Sequence, residues 1–388
     1  MTDLILSSDD ISWFKLSMRL AAILILSGFL AQAQNRDLMK EPLRSQIKEC
    51  FNHIYNSDTY EFGQAAEQLK KSLPNHPMNN LLAALSIYWS KYPLNLNGAE
   101  IEKLKKLLDE SISKCHVLLE EEPDAFDIKY IDMVSHSILA LGHSREGQFF
   151  KAAGEAKKAY NYFKEGFKLM EEYPEFYFSS GLYSYYREKY PEIYPIYKTI
   201  IWVFKSGDKK EGLRLMKLAF DQSEFAKAEA AHYLSHILLR YEMKPIAALP
   251  YVRFLANEYP GNLFFLSNYI ETNIFLERYN EAEKWLVNLD ESEHPYYRTA
   301  YAVFQGRVAE SKYQYELAET LFNEALAIAE GSINEETDNL KNLALCGLAR
   351  LSLLNNNSEK AQEYYELALE DVKYEIYQQE PDEFLEVH

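Results

Sequence analysis

Glycine and proline are both scarce in this chain of 388 residues, at 14 and 13 respectively. A turn-rich all-β protein or a long disordered linker would need more of each, so helix is the default reading. Cysteine is scarcer still, with Cys50, Cys115 and Cys346 as the full complement. Three widely spaced thiols offer no zinc-ligand spacing and at most one disulfide, so neither a metal ribbon nor a disulfide scaffold is expected. A basic surplus is missing as well. The formal net charge is −18, and binding a phosphate backbone needs clustered Lys and Arg to displace counterions, so nucleic acid is not an expected partner. Short basic groups such as Lys209-Lys210 stand beside Asp208 and Glu211, as on a solvated helix face. No Gly-x-x-x-x-Gly-Lys-Ser/Thr run occurs, which leaves no phosphate loop to consider.

Long apolar runs are also lacking. The one near the start follows Met18-Arg19 in LAAILILSGFLAQAQ and ends at Ala31-Gln32-Ala33. A short apolar core behind a positive charge, closed by small residues two apart, is what signal peptidase reads, and the run is too short to span a bilayer comfortably. Residues 1–33 are therefore expected to be a signal peptide cleaved after Ala33. Met18 is an alternative start, because Asp3, Asp9 and Asp10 are foreign to such a leader. The competing readings of the run are a buried first helix or a retained anchor. The mature chain, 34–388, is expected in the periplasm or outside the cell, with no stable membrane insertion.

What is present is a recurring helical phrase: a small residue, three others, a large apolar one, two others, then usually another small one. It occurs at Ala65/Leu69, Ser111/Cys115, Ala159/Phe163, Gly212/Met216, Ala248/Val252, Ala282/Leu286, Ala318/Phe322 and Ala361/Tyr365. Successive first members are 46, 48 and 53 residues apart, then 36, 34, 36 and 43. A period near 34 is the length of two antiparallel helices with their turns, and small residues at helical spacing let neighbouring helices approach closely. The expected architecture is an all-α solenoid of about eight helix pairs. Pro77, Pro123, Pro174 and Pro260 punctuate it where helices begin or end.

The segments RYNEAEKWLVNL (278–289), YQYELAETLFNEALAIA (313–329) and NSEKAQEYYELALED (357–371) resemble tetratricopeptide repeats, with Gly306 twelve residues before Ala318. The resemblance implies a right-handed α-α superhelix whose first helices line a concave binding face. The interval from Ala159 to Gly212 exceeds the repeat, and an aromatic insertion at about 187–206 fills the excess. Its Pro191 and Pro195 are expected to break the helix that starts near Glu175. With its flanks, Gly181 to Ala219, this stretch is similar to a segment of the tetratricopeptide repeat protein 39 and inclusion-body-clearance family. The likeness is carried by Gly181, Leu182, Pro195, Ser206, Gly207, Asp208, Gly212 and Leu213. Independently of family, Asp208 reads as an N-cap, with Glu211 completing a capping box for a helix over 209–220.

Catalytic constellations are weak. His232 and His236 share a helical face with only Glu229 nearby as a third donor, and the Glu of a His-Glu-x-x-His motif is absent. These histidines read as packing groups rather than zinc ligands. His136 and His143 lie on one helix, and Cys115-His116 stands apart, with no nucleophile pair to name. No enzyme activity, cofactor or metal is therefore expected. A recognition surface remains, and register places Tyr233, Arg240, Glu271, Arg307, Glu310 and Arg350 on the concave face. There the arginines either take a peptide carboxylate or pair with Glu271 and Glu310 along the stack. The expected role is an exported, non-catalytic scaffold for a protein or peptide. The alternative is a small-molecule or lipid binder using a pocket roofed by Tyr186, Tyr190, Tyr194, Tyr197 and Trp202.

Overall fold

A computed structural model describes residues 41–387, apart from 94–96, 147, 171–173, 194–197, 199–204, 224, 291, 332–334 and 371. The expected leader, with Met18 and Ala33, lies outside the described residues. So do Tyr194, Pro195, Tyr197 and Trp202 of the aromatic insertion.

Among the described residues the chain is all-α, with seventeen helices and no strand. In order they are α1 (Leu43–Tyr55), α2 (Thr59–Ser72), α3 (Pro77–Lys91), α4 (Gly98–Glu121), α5 (Phe126–Arg145), α6 (Phe149–Leu169), α7 (Glu175–Ile193), α8 (Lys209–Gln222) and α9 (Lys227–His236). A π-turn, Ile237–Tyr241, prolongs α9. There follow α10 (Pro245–Glu258), α11 (Leu263–Phe275), α12 (Tyr279–Asp290), α13 (Pro295–Ser311), α14 (Tyr315–Ala329), α15 (Glu335–Leu354), α16 (Ser358–Leu369) and α17 (Glu375–Leu385). The chain divides into two compact units, one of residues 1–91 and 96–231, the other of 92–95 and 232–388.

Each unit is built of antiparallel helix pairs. In the first, α1/α2, α3/α4, α5/α6 and α7/α8 pack as hairpins, and α1 and α5 both pack on α3. In the second, the π-turn packs on α10, the pairs α11/α12, α13/α14 and α15/α16 follow, and α17 closes on α15, α16 and the π-turn. The eight sequence phrases fall one on the second helix of each pair. In seven of them both the small and the large member are described and buried: Ala65 and Leu69, Ser111 and Cys115, Gly212 and Met216, Ala248 and Val252, Ala282 and Leu286, Ala318 and Phe322, Ala361 and Tyr365. A small residue one turn before a large one makes the groove into which the neighbouring helix's ridge settles. Burying each large apolar side chain contributes about 1.5–3 kcal/mol.

Five of the turns within pairs share a conformation. Ser57, Met243, Glu277, Tyr313 and Asn356, each between the two helices of its pair, have φ between 49° and 60°. This left-handed region costs a side-chain-bearing residue about 1–2 kcal/mol, so packing of the hairpin holds each of them there.

Two local expectations are corrected. Helix α7 runs through Pro191 and ends at Ile193, so Pro191 does not break it on the spot; the ring removes one i→i−4 hydrogen bond, and the helix stops within two residues. Asp208 does cap α8, accepting from Glu211 N at 2.8 Å. Glu211, however, spends its carboxylate on Arg214, with both contacts at 2.7 Å, instead of reaching back. The Asp208 N–H goes instead to Ser184 Oγ of α7, at 2.9 Å. The tie to α7 is close throughout: a Cβ on Gly181 would lie 2.7 Å from Gly212 O, and one on Gly207 would lie 2.3 Å from Ser184 O. Glycine is needed there for approach.

Candidate functional site

The ends of α13 and α12 open a cleft in the second unit. Proline at its first position and His294, which accepts from Tyr296 N at 3.2 Å, start α13. Its last turn delivers Arg307, Glu310 and Ser311 to one edge. The left-handed turn at Tyr313 then swings that side chain outward, leaving it 79% exposed with its ring edge-on to Tyr315. The corresponding turn at Glu277 brings Arg278, Tyr279 and the first residues of α12 to the opposite edge, and Arg350 of α15 reaches the floor. The cleft is open to solvent and has a volume of about 770 Å³.

The floor is an ion network. Arg350 clamps Glu310 with Nε and Nη2 at 2.6 and 2.8 Å, and its Nη1 meets both oxygens of Glu380 at 2.7 Å. Arg307 donates to Glu310 at 2.8 Å and to the Tyr279 hydroxyl at 3.3 Å, while Tyr365 donates to Glu380 at 2.9 Å. Burial pushes the Glu310 carboxyl up, but the hydrogen bond and charge of Arg350, joined by Arg307, outweigh it and hold the group below its ordinary range. Burial likewise works against the Arg350 guanidinium, and Glu310 and Glu380 raise it regardless. Above this floor the rim carries both signs of charge. Arg278 is exposed and has no ion-pair partner among the described residues. Lys284 and Lys312 hold exposed pairs with Glu281 and Glu283.

The six residues expected on one face separate into three places. Arg307, Glu310 and Arg350 meet in the cleft. Arg240 and Glu271 are each only 3% exposed and sit in the interior of the unit. There Arg240 Nη2 is 3.1 Å from both Glu271 and Glu336, its guanidinium lies 5.4 Å from the rings of Tyr374 and Tyr377, and Tyr377 donates to Glu271 at 2.5 Å. Tyr233 is buried against His232. The pairing of arginines with Glu271 and Glu310, weighed from register, is thus formed in the folded chain. Sequence reading missed Arg278, Lys284, Lys312 and Tyr313 as cleft residues; their placement beside the left-handed turns of two pairs is the signal that identifies them.

Of the expected aromatic pocket, Tyr186 is buried in α7 with its ring edge-on to Tyr185. The remaining four side chains, Tyr190 included, lie outside the description. His232 packs among Tyr92, Phe264 and Phe265, and His236 against Tyr241 and Tyr374. Cys50, Cys115 and Cys346 are free, buried thiols; burial pushes Cys50 up to about 12. Among the described residues one group brings metal-ligating atoms together, His116, Asp132 and His136 of the first unit, all within 4.8 Å of one another. No helix of the described residues is long and apolar enough to cross a membrane.

No protein-family model matches the sequence, and no curated protein is significantly similar to it. Among solved structures, a tetratricopeptide repeat protein from Parabacteroides merdae is 13% identical with a TM-score of 0.31, covering 78% of this chain and 98% of its own. A human IFIT1 dimer with PPP-AAAA is 13% identical with a TM-score of 0.37, covering 95% of each chain. The human IFIT1 dimer with m7Gppp-AAAA gives 13%, a TM-score of 0.38, and 95% and 96% coverage. Likeness at this level carries no argument about ligands, and the helix-pair architecture rests on the helices themselves.

Proposed function

We propose that the protein is a non-catalytic scaffold that holds an acidic segment of a partner protein in the cleft of its second unit, and that it works after export, in the periplasm or outside the cell. The observation that carries the reading is one exposed arginine left over from a set of ion pairs. The cleft gathers Arg278, Lys284, Arg307, Lys312 and Arg350; Glu281, Glu283, Glu310 and Glu380 pair the other four, and Arg278 alone of the five has no ion-pair partner among the described residues. Exposed lysine pairs are worth little and exchange readily for a partner's carboxylate, and Arg278 offers a planar fork for bidentate binding. Tyr313 at the rim adds the amphipathic contact that interfaces favour. Arg307 and Arg350 shape the floor. Export rests on the short apolar run before Ala33 and its small-residue ending.

The test uses an exposed double variant, Arg278→Ala/Lys312→Ala, which leaves the floor network whole. Affinity capture from the extracytoplasmic fraction of the source cells is expected to recover a protein partner with wild type and to lose it with the variant. Equal recovery with both moves the site elsewhere, and a bound lipid or small molecule in native mass spectrometry replaces the protein partner with another ligand class. The mass of the mature chain reads the compartment: loss of 1–33 supports export, and a retained leader opposes it.

A further inference from the structure

Helix α5 carries an unusual polar load for an interior helix, with Asp127, Asp132, Ser135, His136 and Ser137 all buried. The serines account for themselves by donating to carbonyls one turn back, Ser135 to Ile131 at 2.8 Å and Ser137 to Met133 at 2.9 Å. Asp132 does not. Its side chain is fully buried, its Oδ2 accepts from the Tyr162 hydroxyl of α6 at 2.8 Å, and its Oδ1 has no hydrogen-bond partner. A buried carboxylate oxygen left so is costly unless something else completes it.

Two imidazole nitrogens face that carboxylate. His136 Nε2, one turn along α5, lies 3.7 Å from Oδ1, and His116 Nε2 from α4 lies 3.6 Å from Oδ2. Both separations are too long for hydrogen bonds. They are near the spacing of about 3.3–3.4 Å between two ligands of a tetrahedral zinc ion with bonds of about 2.0–2.1 Å. The other nitrogen of His136, Nδ1, is hydrogen-bonded to the carboxylate of Glu155 on α6. A carboxylate only accepts, so Nδ1 carries a proton; in the neutral imidazole that a metal requires, Nε2 is then the nitrogen with a lone pair, and it faces Asp132. Glu155 is itself held by Lys158 at 2.9 Å. A carboxylate behind a ligating imidazole, fixing its tautomer and orientation, is the usual outer partner of a metal-bound histidine; Tyr162 orients Asp132 in the same way.

We infer that His116, Asp132 and His136 form a binding site for a divalent transition-metal ion, with Zn²⁺ the best match to two neutral imidazoles and one carboxylate. The ion joins α4 to α5, satisfies Asp132, and enters from the side of His116, whose side chain is 59% exposed. The site is separate in sequence and in residues from the cleft of the second unit, and neither reading depends on the other.

The full mature chain, stripped with chelator and titrated with Zn²⁺ alone, tests the assignment by native mass spectrometry and calorimetry. Wild type is expected to take up one ion specifically and to melt at a higher temperature with it, by mass action. His116→Ala, which alters an exposed side chain and leaves the interior intact, is expected to lose that ion and the thermal shift. Glu155→Gln is expected to weaken affinity by about 10–100-fold while keeping the stoichiometry. Absence of uptake by wild type overturns the site, as does uptake unchanged in His116→Ala. Asp132→Asn repeats the test from the buried side if it folds; if it does not, His116→Ala decides.

Discussion

Phe322 shows how much of this molecule is fixed residue by residue. It is fully buried in α14, and its ring fits between Gly306 of α13 and Gly347 of α15. A Cβ on Gly306 would come within 2.6 Å of the ring, and one on Gly347 within 2.4 Å. Gly347→Ala is therefore expected to lose about 1–3 kcal/mol by overpacking, read as a lower denaturation midpoint with an unchanged m-value. Glu229 poses a different residue-scale problem. It is buried beside the Tyr55 hydroxyl, and burial raises its carboxyl well above the ordinary range. The native state then holds a proton that the unfolded state releases near pH 4.3. Stability from this group is full below that pH and is lost as pH rises toward the folded pKa. Glu229→Gln is expected to gain stability relative to wild type as pH is raised from about 4 to about 8. A constant difference across that range would refute the assignment.

At the scale of elements, the repeating phrase was legible because its physics is local: a small and a large residue one turn apart define a groove wherever a helix forms. The caps were legible for the same reason, and Asp208 was found on its helix. Its second tie was not, since Ser184 stands 24 residues away and only the packing of α7 on α8 presents its hydroxyl to the Asp208 N–H. The π-turn after His236 was equally hidden. It places Arg240 in the interior with Glu271, Glu336, Tyr374 and Tyr377, gathering α11, α15 and α17 around one guanidinium. Arg240→Ala is expected to cost about 3–5 kcal/mol, because it strands two buried carboxylates. Adding Glu271→Gln and Glu336→Gln should recover part of that loss in chemical denaturation, since the uncompensated charges are then gone. If the triple variant is no more stable than the single one, the network is not what holds these helices.

For the whole molecule, a net charge of −18 works against an acidic partner at long range, so the proposed binding would depend on short-range contacts with Arg278 and the exposed lysines. If contacts in the cleft dominate over that repulsion, affinity for an acidic partner falls as ionic strength rises from about 0.05 to about 0.5 M, with a shallower dependence in Arg278→Ala/Lys312→Ala. A salt-independent wild type would point to an apolar contact instead.

Composition and period alone determined that the chain is all-α and built of eight helix pairs, because helix punctuation and small-to-large spacing act within one or two turns of chain. Tertiary structure decided what each polar residue is for. Arg240 and Arg307 occupy comparable positions in the sequence pattern, yet one is sealed in the core and the other edges a cleft. His116 meets Asp132 and His136 only because α4 packs on α5. Burial and the meeting of distant side chains depend on how helices stack, and no local window of sequence carries that information.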